Sequence, residues 1–267
     1  MNVAFDVGAD DGLHGILFAF QNPRIKVFAF EPIKGSHIRI KRNLKKIENF
    51  FKIRIPNYKI INAAVSNYNG HTTFYENFYQ VGSSLLKPKK KLDNFYNKSK
   101  DLLIQGEAKK LKVKKSYKVK VVSLERFCKF NSIDIINYLH IDAQGHDIKV
   151  IEGLKQFKKN LIEGVAEVPK KINLGIYNNE QSFSELKKKL KKWNYSITNI
   201  EEIQKNHAYL NVYFKTNNNK LYQKNKIIFE YPNKRITRMF KRIFIEKINL
   251  KDIFFIYYWR ISKLIKD

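Results

Sequence analysis

Apolar residues fall along this chain in short runs separated by turn residues and by longer stretches of helical period. Val3 to Val7 is one such run, interrupted only by Asp6, and it ends in Gly8-Ala9-Asp10-Asp11-Gly12. Leu13 to Phe20 follows as an amphipathic segment, and Val27 to Phe30 is a second apolar run that stops on Glu31. The pattern predicts strand, glycine turn, helix and strand. Ile33 to Phe51 reads as a helix with Ile38, Ile40, Leu44 and Ile47 on its apolar face. Tyr58 to Asn62 reads as a third strand, and Ala63 to Phe78 as a hairpin turning at Asn67 to Gly70. Residues 87 to 120 are dense in lysine and read as a mobile insertion that ends in a strand at Tyr117 to Val122.

The alternation continues beyond the insertion. Ser123 is placed to N-cap a helix over Leu124 to Phe130, and Ile135 to Ile141 is a strand ending on Asp142. A turn at Gln144-Gly145-His146-Asp147 leads into a helix over Ile148 to Leu154. Ile162 to Val168, Tyr195 to Ile200 and Ala208 to Lys215 are the remaining strands, and Ser182 to Trp193 is a lysine-faced helix. Strands that alternate with helices predict an α/β fold with a mostly parallel, doubly wound sheet. That domain spans residues 1–215. Residues 216–267 form a separate C-terminal extension, with Asn217 to Asn219 as linker and a basic, aromatic-rich helical stretch from residue 234 onward.

Composition narrows the class. An apolar content of 43% over 267 residues suits one globular domain with an appendage. No uncharged run approaches the ~20 residues of a membrane-spanning helix. The first strand opens almost at Met1, so no targeting segment is expected. The single cysteine, Cys128, excludes an intrachain disulfide or a cysteine-built zinc site, reads as core, and fits a cytoplasmic compartment. The net charge of +28 comes mostly from lysine, whereas base readout leans on arginine. The charge therefore favours an anionic sugar, a glycolipid or an anionic membrane surface over nucleic acid. The C-terminal stretch suits either such a membrane or docking on the domain or on a second subunit.

The opening unit has the form of a nucleoside site. Glycines let the backbone approach the ligand, and an acid roughly 20 residues later accepts from ribose hydroxyls. The loop lacks G-x-G-x-x-G, and Asp6, Asp10 and Asp11 would repel a diphosphate. Three carboxylates suit S-adenosylmethionine, which carries a sulfonium and an ammonium. The alternative is a strand-turn-helix whose glycines only tighten the turn.

The blocks together resemble a family. Asp6-Val7-Gly8-Ala9-x-x-Gly12, Phe30-Glu31-Pro32, Asn62-Ala63-Ala64-Val65-Ser66-x-x-x-Gly70, Gly82-Ser83-Ser84-Leu85, Val121-Val122-Ser123-Leu124 and Ile141-Asp142-Ala143-Gln144-Gly145-His146-Asp147 stand in the order of an FkbM-type methyltransferase. The resemblance implies a class I, Rossmann-like sheet of seven strands with an antiparallel last strand. It also implies S-adenosylmethionine as cofactor and O-methylation, commonly of a sugar or polyketide hydroxyl. By the same resemblance Asp6, Gly8, Ala9 and Gly12 line the methionine end of the cofactor. Glu31, followed by Pro32, takes the ribose, and Ala64 borders the adenine. Ser83 and Ser84 lie near cofactor or acceptor, and Asp142 lies beside the transferring methyl. The chain departs from the pattern at His140, where a lysine is common, and at Gln144 and Asp147, where glutamates are common.

Methyl transfer to a hydroxyl needs positioning and a base. The candidates are Asp142, then His146, with His140 and Glu167 behind them. Each has a structural alternative: Asp142 as a helix cap, His140 as a hydrogen-bonded strand residue, His146 as a turn residue, Glu167 as a lysine partner. His14, His37, His71 and His207 are scattered without ligand spacing, so no metal site is expected, although magnesium on Asp142 is compatible. The competing classes are an RNA methyltransferase or nucleic-acid binder and an inactive scaffold. Asp142-Ala143-Gln144-Gly145 lacks the Pro-Pro-aromatic loop that base amino-methylation uses.

Overall fold

A computed structural model describes residues 1–89, 112–202 and 208–226. Ten strands and six α-helices are defined there: β1 (Val3–Val7), α1 (Leu13–Gln21), β2 (Lys26–Phe30), α2 (Lys34–Phe51), β3 (Tyr58–Ile61), β4 (Ala64–Val65), β5 (Gly70–Asn77), β6 (Val113–Val122), α3 (Leu124–Phe130), β7 (Ile136–Ile141), α4 (Asp147–Glu152), β8 (Leu161–Pro169), α5 (Phe183–Lys192), β9 (Tyr195–Glu202), β10 (Tyr209–Thr216) and α6 (Asn219–Asn225). The main sheet has seven strands in the order β3-β2-β1-β7-β8-β10-β9. β1 pairs in parallel with β2 and β7, and β7 with β8, while β10 runs antiparallel to both β8 and β9. This is the mostly parallel, doubly wound sheet that the strand pattern predicts, with the antiparallel last strand that the family resemblance implies.

Strand alternation divides the core into two layers. Phe5, Phe28 and Phe30 point to one face and meet Phe127 of α3, with ring centroids 4.9 to 5.8 Å from it. Aromatic pairs at such spacings add about 0.5–1.5 kcal/mol each beyond their buried area. Ala4, Val27 and Ala29 point to the other face and pack under Ile16 and Leu17 of α1 and Ile40 and Ile47 of α2. The small side chains at 4 and 29 let α1 sit close to the sheet. Ile38 is 68% exposed, because it lies two residues from Ile40 and a helix cannot bury both on one stripe. Ser123 caps α3 by accepting from Arg126 N at 3.2 Å, and Ser182 and Glu185 form a capping box on α5.

The expected hairpin over Ala63 to Phe78 does not form. β4 pairs in parallel with β6 and β5 pairs antiparallel with it, so β6 lies between them. Asn69, in the expected turn, instead accepts from Ser123 N at 2.9 Å and ties the start of β5 to the end of β6. β6 also begins at Val113 rather than Tyr117, alternating Tyr117, Val119 and Val121 inward. Asn217 to Asn219, read as a linker, run directly into α6, whose N-cap Asn218 accepts from Leu221 N at 3.0 Å. Asn137 of β7 donates to Asn225 O at 2.9 Å and holds that helix to the sheet. The lysine-rich stretch from 90 to 111 and the extension beyond 226 lie outside the described residues, as does His207. Among the described residues no helix is long and apolar enough to cross a membrane.

Cys128 is fully buried in α3, and burial pushes its thiol up to about 12. A thiolate-seeking reagent is therefore expected to label the native chain at a rate set by unfolding, and to label it at once in denaturant. Fast labelling of native protein would show that α3 is not packed as described.

Candidate active site

In an open parallel sheet the ligand crevice forms beyond the carboxyl ends of the strands, where the strand order reverses. Here the reversal lies between β1 and β7, because β2 and α1 lead one way from β1 and β8 leads the other. Gly8 closes β1 with φ of +83°, and a Cβ on it would stand 2.0 Å from Asp142 O. Only glycine allows this approach. The turn is completed by Gly8 N and Ala9 N, which donate to Phe30 O at 3.0 and 3.2 Å.

The crevice so formed is a shallow cleft, open to solvent, with an enclosed volume of about 60 Å³. Gly8, Asp10, Glu31, Ala64, Asp142 and His146 line it, with Ser83 and Gln144 on its far wall. Glu31 is 4% exposed. Its Oε2 accepts from Asp10 N at 2.9 Å and its Oε1 from Ile33 N at 2.7 Å. Each oxygen keeps a second lone pair for a ligand hydroxyl. Burial drives the Glu31 carboxyl up to about 7, against these two N–H groups, which favour ionisation. Asp10 pairs with Arg39, which also meets Gln80, so α2 is clipped to the rim of the cleft.

Asp142 follows the last residue of β7. Gln144 Nε2 donates to its Oδ1 at 2.5 Å. Burial raises its carboxyl above the ordinary range, and the neighbouring Asp10 and Asp6 push the same way, against His140 and the Gln144 hydrogen bond. His146 shares a 2.8 Å hydrogen bond between its Nε2 and Ser66 Oγ. Burial brings its imidazole down to about 4, so it is neutral near pH 7. Its Nδ1 is buried with no partner among the described residues. Where Ser66 donates onward to Asn67 Oδ1, at 3.3 Å, the proton of His146 sits on Nε2 and Nδ1 carries the lone pair.

The structure separates several residues expected together. Glu31 and Asp142 share the cleft, but Asp6 does not line it. Asp6 points to the opposite face of β1, toward α1, where its Oδ1 meets His140 Nδ1 at 2.8 Å. Alternation explains this: Val7 faces the cleft and the residue before it cannot. Asp10 lines the cleft where Asp6 does not. His140 is likewise drawn to Asp6 and does not line the cleft. His140 and Asp142 are two residues apart, but β7 ends at Ile141 and Asp142 lies past it, so strand alternation does not put them on one side. Ala9 and Gly12 shape the loop without lining the cleft; a Cβ on Gly12 would meet Ile40 Cγ2 at 2.7 Å. Pro32 lines the cleft beside Glu31. Ser83, not Ser84, reaches it. Ser84 Oγ donates to Gln144 O at 2.8 Å and holds the far wall in place. Glu167 lies on β8, away from the cleft, with its N–H donated to Asp147 Oδ1 at 2.9 Å. Gln80 and Val81, in the short 3₁₀ turn after β5, also line the cleft and were not expected, because nothing local in the sequence shows where that turn docks.

An open α/β sheet with an acidic crevice at its switch point is the class that fold and site define. The chain belongs to the methyltransferase FkbM domain family, whose model matches residues 6–197. No curated protein matches the sequence. Among solved structures, it is similar to the methyltransferase FkbM from Methylobacillus flagellatus KT, at a TM-score of 0.48 and 9% identity, covering 80% of this chain and 44% of that one. This chain therefore spans less than half the length of that structure. It is also similar to M. capricolum TrmK in complex with S-adenosylhomocysteine, at a TM-score of 0.40 and 13% identity over 99% of this chain and 90% of that one. The N-terminal domain of human METTL16 in complex with the same product gives a TM-score of 0.37 and 13% identity over 80% and 61%. At these scores none of them assigns a residue here.

The Glu31 carboxyl holds its proton more tightly folded than unfolded. Its contribution to stability is therefore full below its ordinary value of 4.5 and is lost as pH rises through about 7. Ligand hydroxyls donate best to the ionised form, so binding strengthens over the same interval. Calorimetry with S-adenosylhomocysteine is expected to show affinity rising between about pH 6 and pH 8. Glu31→Gln should weaken binding by about tenfold or more and flatten that rise. An unchanged affinity would remove Glu31 from the site.

Proposed function

We propose that the chain is an S-adenosylmethionine-dependent O-methyltransferase acting on a hydroxyl of a sugar, in a cell-surface glycan or a related metabolite. The observation that carries the cofactor reading is the acidic crevice itself. Glu31 is buried at the end of β2 with one lone pair left on each oxygen. Asp10 and Asp142 stand on either side of the Gly8 loop. These acceptors fit a ribose diol next to a cationic centre and disfavour a diphosphate. When bound there, S-adenosylmethionine supplies a methyl group on a sulfonium that leaves readily.

The residues of the chain do the positioning and the proton work. Gly8 and Ala64 border the space for the nucleoside. Asp142, fixed by Gln144, takes the proton of the acceptor hydroxyl, and its raised carboxyl brings it toward the working range of a general base. His146 lines the same cleft as a second candidate acceptor and is neutral near pH 7. Holding the reactants in line contributes on the order of 7–11 kcal/mol, the larger share of the catalysis. The sugar reading is supported by the family's habit and by the basic surface, which attracts phosphorylated or membrane-borne carbohydrate. The basic, aromatic C-terminal stretch gives a means of peripheral contact with an anionic inner membrane surface.

Transfer of labelled methyl from S-adenosylmethionine to a panel of monosaccharides, nucleotide sugars and glycolipids tests this function. Label in a base-stable ether on a carbohydrate is the expected result. Label in RNA alone would replace the reading with an RNA methyltransferase, and cofactor binding without any transfer would replace it with an inactive scaffold. On the accepted substrate, Asp142→Asn is expected to lower kcat by about 10²–10⁴ and His146→Gln by less. The opposite order would make His146 the base.

A further inference from the structure

On the reverse face of the sheet from the cleft, three side chains that are distant in sequence converge. Asp6 and His140 are direct partners in the parallel register of β1 and β7. His14 reaches them from the first turn of α1, with its ring edge-on to that of His140 and centroids 3.7 Å apart. One ligand atom from each of the three lies within 4.8 Å of the others. Ligands that share one zinc ion at about 2.0–2.2 Å stand roughly 3–4 Å apart, so small side-chain rotations bring this set onto a common ion.

Two further observations point the same way. Asp6 is 3% exposed, and its buried Oδ2 makes no hydrogen bond of ordinary geometry among the described residues, with only the Gly15 backbone N–H beside it. Removal of a carboxylate oxygen from water without a partner is costly, and a cation there would offset that cost. The three groups also line a small pocket, open to solvent and about 10 Å³ in volume, shared with Gly15, Phe18 and Tyr138. The His140 side chain is 20% exposed, so water can complete a coordination sphere.

The geometry points to a divalent-cation site of the two-histidine, one-carboxylate type, formed by Asp6, His14 and His140. Two imidazoles and a carboxylate suit a borderline first-row ion, Zn²⁺ before Mg²⁺, which prefers an all-oxygen shell. The ion clamps the first turn of α1 onto β1 and β7, directly beneath the glycine loop. It lies outside the cleft and takes no part in methyl transfer, so this inference stands apart from the proposed function. Scattered positions hid it in the sequence: His14 and His140 come together only because α1 packs on the β1–β7 pair.

The test uses the full chain freed of metal by chelator and titrated with Zn²⁺, and in parallel with Co²⁺ as a visible-absorbing probe. Expected are one high-affinity equivalent, Co²⁺ absorption bands typical of low coordination number, and a melting temperature raised by Zn²⁺. His14→Gln and His140→Lys should each weaken binding at least tenfold and abolish the thermal shift, while His71→Gln should leave both unchanged. His140→Lys is informative because lysine keeps an ion pair with Asp6 and offers no ligand nitrogen at neutral pH. If that variant fails to fold by circular dichroism, His14→Gln alone decides. Absence of saturable binding in the parent, or parent-like binding in His14→Gln, overturns the inference.

Discussion

The contact between Gly8 and the carbonyl of Asp142 governs this molecule. β1 and β7 run side by side until their last residues, and a Cβ at position 8 would lie 2.0 Å from Asp142 O. With glycine there, the two strand ends stay together while the chains beyond them part. The loop after Gly8 turns up to Phe30 and Glu31, and the loop after Asp142 turns toward Ser84 and Tyr177. The cleft is the gap between those two loops. Any larger residue at position 8 would separate β1 from β7 at the one point where the acids must converge.

Around that contact, polar groups are held by backbone as much as by each other. Glu31 is fixed by two main-chain N–H groups, and Asp142 by Gln144, whose own Oε1 lies 2.9 Å from the Tyr177 hydroxyl and whose carbonyl takes Ser84. Such a frame keeps carboxylates in place at the bottom of an apolar sheet, where each alone would carry a large desolvation cost. Asp6 is the instructive contrast. Burial opposes its ionisation, but the hydrogen bond and charge of His140, with His14 and the Gly15 N–H adding to them, hold its carboxyl below the ordinary range. β1 thus places its one carboxylate on the side away from the cleft, while the acids of the cleft come from the loops beyond the strand ends.

Much of this was legible in the sequence, and the reason is physical. Apolar runs ending in glycine or an acid mark strand ends in a parallel sheet, and strand ends are where such sheets bind ligands. Glu31, Gly8 and Asp142 were readable for that reason, and so was Ser182, whose capping box with Glu185 is a local feature. Parity was the step that failed for Asp6. Phe5 and Val7 face one layer, so Asp6 must face the other, and the same count places His140 beside it. What could not be read were contacts set by docking alone: Arg39 on Asp10, Gln80 and Val81 at the cleft, and the insertion of β6 between β4 and β5. No local pattern encodes which strand lies between two others.

The central claim is that a nucleoside ligand sits at the β1–β7 switch point, against the Gly8 loop and Glu31. Hydrogen exchange in the presence and absence of S-adenosylhomocysteine tests it most directly. The account predicts slowed exchange confined to the amides around Gly8 to Asp10, Glu31 to Ile33, Ala63 to Val65 and Asp142 to His146. Slowing concentrated elsewhere, or saturating binding that leaves those four segments unprotected, would contradict it.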